Sequence, residues 1–196
     1  MTRWTRRNVI RGALSGLLVS ATGAPLRVLA QSATDDPQTD VDNDPTSNGS
    51  YFGGAEWMRI PRIRVDAHVS DVPITGGYYD VPWFDVGHHV DSHDPGEPGN
   101  SIFNGHVVTI NAGQVFRHLD QLVEGDAVYV YTPAYRLDWV VTDVFSVSAE
   151  DSTFLQDTDA PRITLYTCSG QFNPIERSYA ERLVVFGELV NVVHRT

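Results

Sequence analysis

The chain of 196 residues holds a single cysteine, Cys168, which ends the run Ile163-Thr164-Leu165-Tyr166-Thr167-Cys168 and is followed by Ser169-Gly170. A thiol attacks carbonyl carbon as its thiolate, and it reaches that form with help from a neighbouring base or cation. A β-branched, apolar run that stops at Ser-Gly places the sulfur at a strand end facing a cleft. A lone cysteine forms no internal disulfide, so Cys168 is either reactive or a small buried hydrophobe. His106 follows Gly105 in Asn104-Gly105-His106. The glycine lets another backbone or a substrate approach closely, and an imidazole serves as general acid and base. Arg182 opens Arg182-Leu183-Val184-Val185-Phe186. There a guanidinium at the start of a buried strand can donate to a carbonyl or an oxyanion. Taken singly, His106 also reads as a hydrogen-bonded surface histidine and Arg182 as an ordinary strand-end charge. Arg177, five residues earlier, competes for the arginine role.

These residues need a frame, and the sequence around them is one of short strands and turns. Strand composition runs through residues 58–63, 65–72, 101–110, 127–132, 137–147, 163–167 and 182–193, with Gly125-Asp126 marking a turn. One short helix is expected over 114–122, where Val115, Leu119 and Leu122 fall at helical spacing. The expected fold is all-β with short helices, a closed β-barrel.

Together the chemistry-bearing segments resemble the sortase family. The resemblance rests on Leu165-Tyr166-Thr167-Cys168, on Gly105-His106 and on Arg182 before the final apolar strand. It extends to Ile60-Pro61-Arg62-Ile63-Arg64-Val65-Asp66-Ala67, to Pro95-Gly96-Glu97-Pro98-Gly99-Asn100-Ser101, and to Val115-Phe116 through Gly125-Asp126, covering about residues 57–189. Two departures are Asn104 before the glycine and the bulky Tyr166 within the cysteine motif. The classes it is most similar to are those of actinobacterial type. The resemblance implies an eight-stranded sortase-type β-barrel and a cysteine transpeptidase that uses no cofactor or metal. In that mechanism Cys168 attacks a Thr-Gly-type bond in the C-terminal sorting signal of an exported protein. His106 serves the leaving and entering amines, and Arg182 steadies the oxyanion or the substrate. Thr167 contributes to substrate binding. The acceptor would be an amine of the cell wall or of a pilin. The same Cys–His pair would also suit an exported cysteine peptidase that resolves the thioester with water, and a buried Cys168 would suit a non-catalytic surface module.

Charge and composition bound the setting. Residues 1–30 hold five arginines and no acid, and the remainder holds nine bases against 25 acids, a net of −16. Such a domain is a poor nucleic-acid binder and a poor match for anionic lipid. All 14 bases are arginine, so no lysine amine is available as a nucleophile. Arg6-Arg7 precede a moderately apolar stretch over 12–26 and a small-residue end at Val28-Leu29-Ala30, which resembles a twin-arginine export signal or a retained membrane anchor. Residues 31–56 carry Asp35, Asp36, Asp40, Asp42 and Asp44 with few large apolar side chains, and read as a disordered acidic linker. The catalytic domain is then 57–196, displayed at the outer membrane face or the cell wall. His88-His89 with Asp91, His93 and Asp94 carry metal-ligand types, but Gly87 and Pro95-Gly96 mark this stretch as a mobile substrate-side loop rather than a metal site.

Overall fold

In the computed structural model, residues 50–76, 78–108 and 113–196 are described. The segment read as an export signal or anchor and most of the acidic linker lie outside the described residues. The last part of the linker does not hang free. Tyr51 N–H donates to Glu97 Oε1 at 2.6 Å, Phe52 packs on the core, and Glu56 N–H donates to Tyr131 O at 2.8 Å.

Ten strands follow. They are β1 (Trp57–Ile60), β2 (Val65–Val72), β3 (Ile74–Thr75), β4 (Tyr78–Tyr79), β5 (Val86–His89), β6 (Asn100–Asn104), β7 (Ala127–Tyr131), β8 (Tyr135–Ser148), β9 (Arg162–Asn173) and β10 (Ser178–His194). Eight of them close a barrel in the order β1-β2-β5-β6-β9-β10-β8-β7, with β7 returning to β1, and β3 and β4 form a separate two-stranded sheet. The closed eight-stranded β-barrel expected from the sequence is the observed fold. Closure gives every barrel strand a neighbour on both sides.

The period-two alternation that builds the barrel is plain in β7 and β8 and, from Leu165 to Cys168, in β9. Val128 and Val130, Leu137, Trp139 and Val141, and Ile163 and Leu165 all point inward and are buried. They meet Met58, Phe103, Phe116 and Leu119 in one core. Because Leu165 and Thr167 are inward, Tyr166 and Cys168 take the outer face of β9. Two pairs, β2–β5 and β6–β9, are parallel, and each needs a crossover connection.

Several local expectations differ from the structure: the strand expected over 101–110 ends at Asn104, and that over 58–63 ends at Ile60 before a 3-10 turn. The helix expected over 114–122 is a series of turns ending in a single 3-10 turn at Leu119–Gln121. Burial of Phe116, Leu119 and Leu122 holds it without a full α-helix. Val86–His89 is a strand in the barrel wall rather than a mobile loop, and both histidines are buried. Finally, β9 does not stop at Cys168. It runs on to Asn173 and hairpins into β10, which begins at Ser178, ahead of Arg182. Gly170 makes this possible. It takes φ +75° and sits in a bulge where β9 has one more residue than β10 between the pairs Tyr179↔Phe172 and Glu181↔Ser169.

Candidate active site

Cys168 lies mid-way along β9, but one of its flanks is open. On the other flank, antiparallel pairing sets Arg182 directly across from it, so both side chains stand on the outer face of the barrel. On the open side β6 runs parallel to β9 as far as Asn104↔Tyr166. Parallel chains advance together, so the residues that continue β6 past Asn104 draw level with Thr167 and Cys168. Those residues are Gly105 and His106. The geometry thus brings the three sequence-predicted residues to one place, with the thiol between the histidine segment and the guanidinium.

The histidine segment is held by point contacts. Thr167 Oγ1 donates to Gly105 O at 2.7 Å, and Phe116 N–H donates to His106 O at 3.1 Å. A Cβ on Gly105 would stand 2.5 Å from Val115 Cγ1 and 2.8 Å from Phe116 Cδ2, so only glycine lets the turn at 115–116 pack beneath His106. Thr167 itself is buried at 3 % exposure, with its hydroxyl committed to this contact.

Cys168 is a free, partly buried thiol. Burial pushes its pKa above the ordinary value, and the charge of Arg182 pulls the other way. Burial lowers the His106 pKa, partly offset by a backbone hydrogen bond with Val81. Among the described residues no hydrogen bond joins the thiol to the His106 ring, and both shifts favour the uncharged form of their group. The Arg182 guanidinium donates through Nη1 to Glu181 O at 3.0 Å and Tyr179 O at 3.3 Å, which folds it back along β10 beside the thiol. Arg177, its rival in the sequence, is exposed in the β9–β10 turn with φ +54°.

A second cluster, unforeseen in the sequence, adjoins the site. The Tyr166 hydroxyl lies 3.0 Å from His89 Nε2, and Asn104 Nδ2 donates toward the same nitrogen at 3.3 Å, toward Tyr166 Oη at 3.4 Å and to Asp80 O at 3.0 Å. Tyr79 stacks on the His89 ring with centroids 3.5 Å apart. Burial drops the His89 pKa to about 4, so the ring is neutral near pH 7. A neutral ring that accepts at Nε2 carries its proton on Nδ1, and Nδ1 is buried without a partner. Burial also raises the Tyr166 phenol to about 12, keeping it a donor. In the sequence the hints were the two departures from the family pattern, Asn104 and the bulky Tyr166. His89 was hidden because a His-His pair beside glycine and proline reads as a loop.

Among the described residues, no group of three or more His, Cys, Asp or Glu side chains converges to hold a metal ion. No described helix is long and apolar enough to cross a membrane.

The family model described as a sortase domain matches residues 58–190, from β1 well into β10. No curated protein matches the chain. Among solved structures, sortase A of Listeria monocytogenes aligns with TM-score 0.60 at 20 % identity, over 73 % of this chain and 91 % of that one. Sortase C-1 of Actinomyces oris aligns with TM-score 0.55 at 28 % identity, over 69 % and 72 %. Sortase E1 of Streptomyces coelicolor, solved with a tripeptide in its active site, aligns with TM-score 0.56 at 22 % identity, over 72 % and 91 %. The same barrel recurs in sortases of several classes, and the family match spans nearly all of it: the chain belongs to the sortase family of cysteine transpeptidases.

Proposed function

We propose that this protein cleaves a C-terminal sorting signal of exported proteins at a Thr-Gly-type bond and transfers the new acyl end to an amine. The observation that supports this most directly is the register that sets Arg182 across from Cys168 while Thr167 ties the His106 segment to the same strand.

In this reading a proton passes from Cys168 to His106, and the thiolate attacks the threonine carbonyl carbon. Arg182 faces the oxygen on which negative charge develops. His106, now an imidazolium, gives its proton to the departing amine, and a thioester with Cys168 remains. An entering amine attacks that thioester, the C–S bond breaks, and His106 takes the proton the nitrogen loses. Thr167 acts in this scheme by fixing Gly105 rather than by touching substrate through its hydroxyl. The acceptor is an amine of the cell wall or of a pilin. Residues 1–30 act as a twin-arginine signal or membrane anchor and residues 31–56 as a tether, which puts the domain at the outer membrane face or the wall. Sortases are cell-surface or membrane-associated enzymes, in keeping with this placement.

The test is cleavage of peptides carrying a Thr-Gly bond in a sorting-signal context, with and without triglycine or hydroxylamine. Wild type should form a thioester on Cys168, visible by mass spectrometry, and ligate the added amine. Cys168→Ala should do neither. Equal turnover by Cys168→Ala would sink the proposal, and hydrolysis unaffected by any amine would make the protein a peptidase instead.

A further inference from the structure

The two segments that hold His106 also wall a cavity that the scheme above leaves unused. One segment is 81–84, whose Val81 backbone hydrogen-bonds the His106 ring and whose Phe84 lines the cavity. The other is 114–118. Its Val115 packs beneath Gly105, its Phe116 N–H is bonded to His106 O, and Gln114, Val115, Arg117 and His118 form the opposite wall. Gly113 N–H donates to Trp83 O at 2.6 Å and joins the two walls. The floor comes from residues 63–67, and the cavity measures about 430 Å³.

Its charge is opposite to that of the domain. Beyond residue 30 the chain has nine arginines against 25 acids, yet two of those arginines, Arg64 and Arg117, line this one cavity together with His118. Neither arginine enters an ion pair among the described residues. Among the described residues the Arg117 guanidinium donates only to Gln114 Oε1. Arg64 stands in the left-handed backbone region at φ +57°, an uncommon conformation for a side-chain-bearing residue, where it closes the 3-10 turn over Pro61–Ile63. The one acid on the wall, Asp66, accepts the Trp57 indole N–H at 2.5 Å. Two guanidinium groups without anionic partners among the described residues, in a concave site walled by the segments that hold His106, suit a carboxylate.

We propose that this cavity is the acceptor subsite and that the amine it takes also bears a carboxylate, as in an amino acid or a peptide with a free acid group. The inference rests on the transpeptidase reading. The carboxylate sits between Arg64 and Arg117, and the amine at the other end of the same molecule reaches the thioester beside His106. The amine nitrogen forms the new C–N bond, the C–S bond breaks with the electron pair returning to sulfur, and the proton lost from nitrogen goes to His106. No other reactant is needed.

The experiment uses a peptide thioester ending in threonine, which loads Cys168 without requiring the natural signal. Two acceptors are compared, glycylglycine and its C-terminal amide. Wild type should show a KM for glycylglycine roughly tenfold below that for the amide, a ratio in keeping with charge-assisted hydrogen bonds to a carboxylate. The double variant Arg64→Gln/Arg117→Gln should erase that difference while leaving hydrolysis of the loaded enzyme and the melting temperature unchanged. Equal KM values in wild type overturn the proposal, and so does a double variant that slows hydrolysis as much as ligation. A titration that needs no catalysis stands beside it. Glycylglycine added to the Cys168→Ala protein should move the backbone amide resonances of Val115–His118, and the diglycine amide should move them far less. No shift removes the subsite. Shifts in a protein whose wild type never loads the thioester would leave a carboxylate site standing while removing the acceptor role and the transpeptidase reading together.

Discussion

Along the β10 flank of Cys168 the chain is fixed by a long antiparallel ladder, interrupted only by the Gly170 bulge, in which Arg182 is one rung among many. Along the β6 flank the ladder ends at Asn104, and His106 is placed by single contacts: one hydroxyl on Gly105 O, one amide on His106 O, one packed glycine. The Arg182 arm is therefore built like a strand, and the His106 arm like a loop hung from a strand. A ladder distributes a local loss over its neighbours, whereas a point contact does not. The two arms should respond differently to substitutions that remove a single hydrogen bond.

The largest effect is expected at His106. His106→Gln should lower kcat on the order of a thousandfold, within the usual range for removing a general acid–base. In wild type the pH profile should be a broad bell. Its acid limb lies below the ordinary imidazole value of 6.5, because burial lowers His106, and its alkaline limb lies above the ordinary thiol value of 9.0, because burial raises Cys168. The sign follows from proton counting: below the lower limb both groups are protonated and no thiolate forms, and above the upper limb both are deprotonated and no acid remains. His106→Gln should lose the acid limb only. A wild-type bell narrower than the interval between those values would contradict the burial of both groups.

Next is Arg182. Arg182→Gln should reduce kcat by roughly a hundredfold, as for loss of one oxyanion donor, with thermal stability little changed because the ladder persists. Arg177→Gln, at the far turn, should stay close to wild type. The reverse result would move the arginine role to the turn and break the comparison of the two flanks.

Thr167→Val is the sharper test of the loop-like arm. It leaves Gly105 O buried without its donor, at about 1–3 kcal/mol of stability, and should lower kcat about tenfold through the misplaced histidine, an effect sized by the cost of small misplacements at a reacting centre. The rate of Cys168 alkylation by iodoacetamide should remain unchanged. If alkylation fell as far as turnover, the hydroxyl would be acting on the thiol strand and not on the histidine segment. Tyr166→Phe should give a smaller loss, a fall of about two- to fivefold in kcat with KM held, since Asn104 keeps its other bond to Asp80 O. Rescue of the wild-type rate by no variant other than one restoring a hydroxyl would tie the effect to the hydrogen bond to His89.

The ends of this comparison were legible in the sequence to different degrees. The barrel was, because alternating runs such as Leu137-Asp138-Trp139-Val140-Val141 state which side chains face inward. Cys168, His106 and Arg182 were singled out from types and neighbours, with the resemblance joining them. Their mutual placement was not legible, since it depends on a parallel pairing between strands far apart in the chain. The bulge at Gly170 was hidden for a different reason: a Ser-Gly pair after a strand reads as its end, and only the partner strand shows that the ladder resumes. Thr167 was expected to contribute to substrate binding; its hydroxyl bond to the Gly105 carbonyl was not legible, because it too depends on the pairing of β6 with β9. His88 and His89 read as a loop because the parallel partner that makes them a strand, β2, lies behind a separate hairpin.

The parallel pairing of β6 with β9 has one more consequence, for how the protein acquires its function in time. The hydroxyl–carbonyl contact that sets His106 joins residues 62 apart in the chain. A site of such high contact order has no local precursor, and its closure belongs to the slow, global step of folding. Until β9 docks beside β6, Cys168 lacks the His106 segment, whereas Arg182 shares its hairpin and can face it earlier. The change of the thiol from freely alkylated to half-shielded during refolding is thus a clock for the birth of the catalytic site.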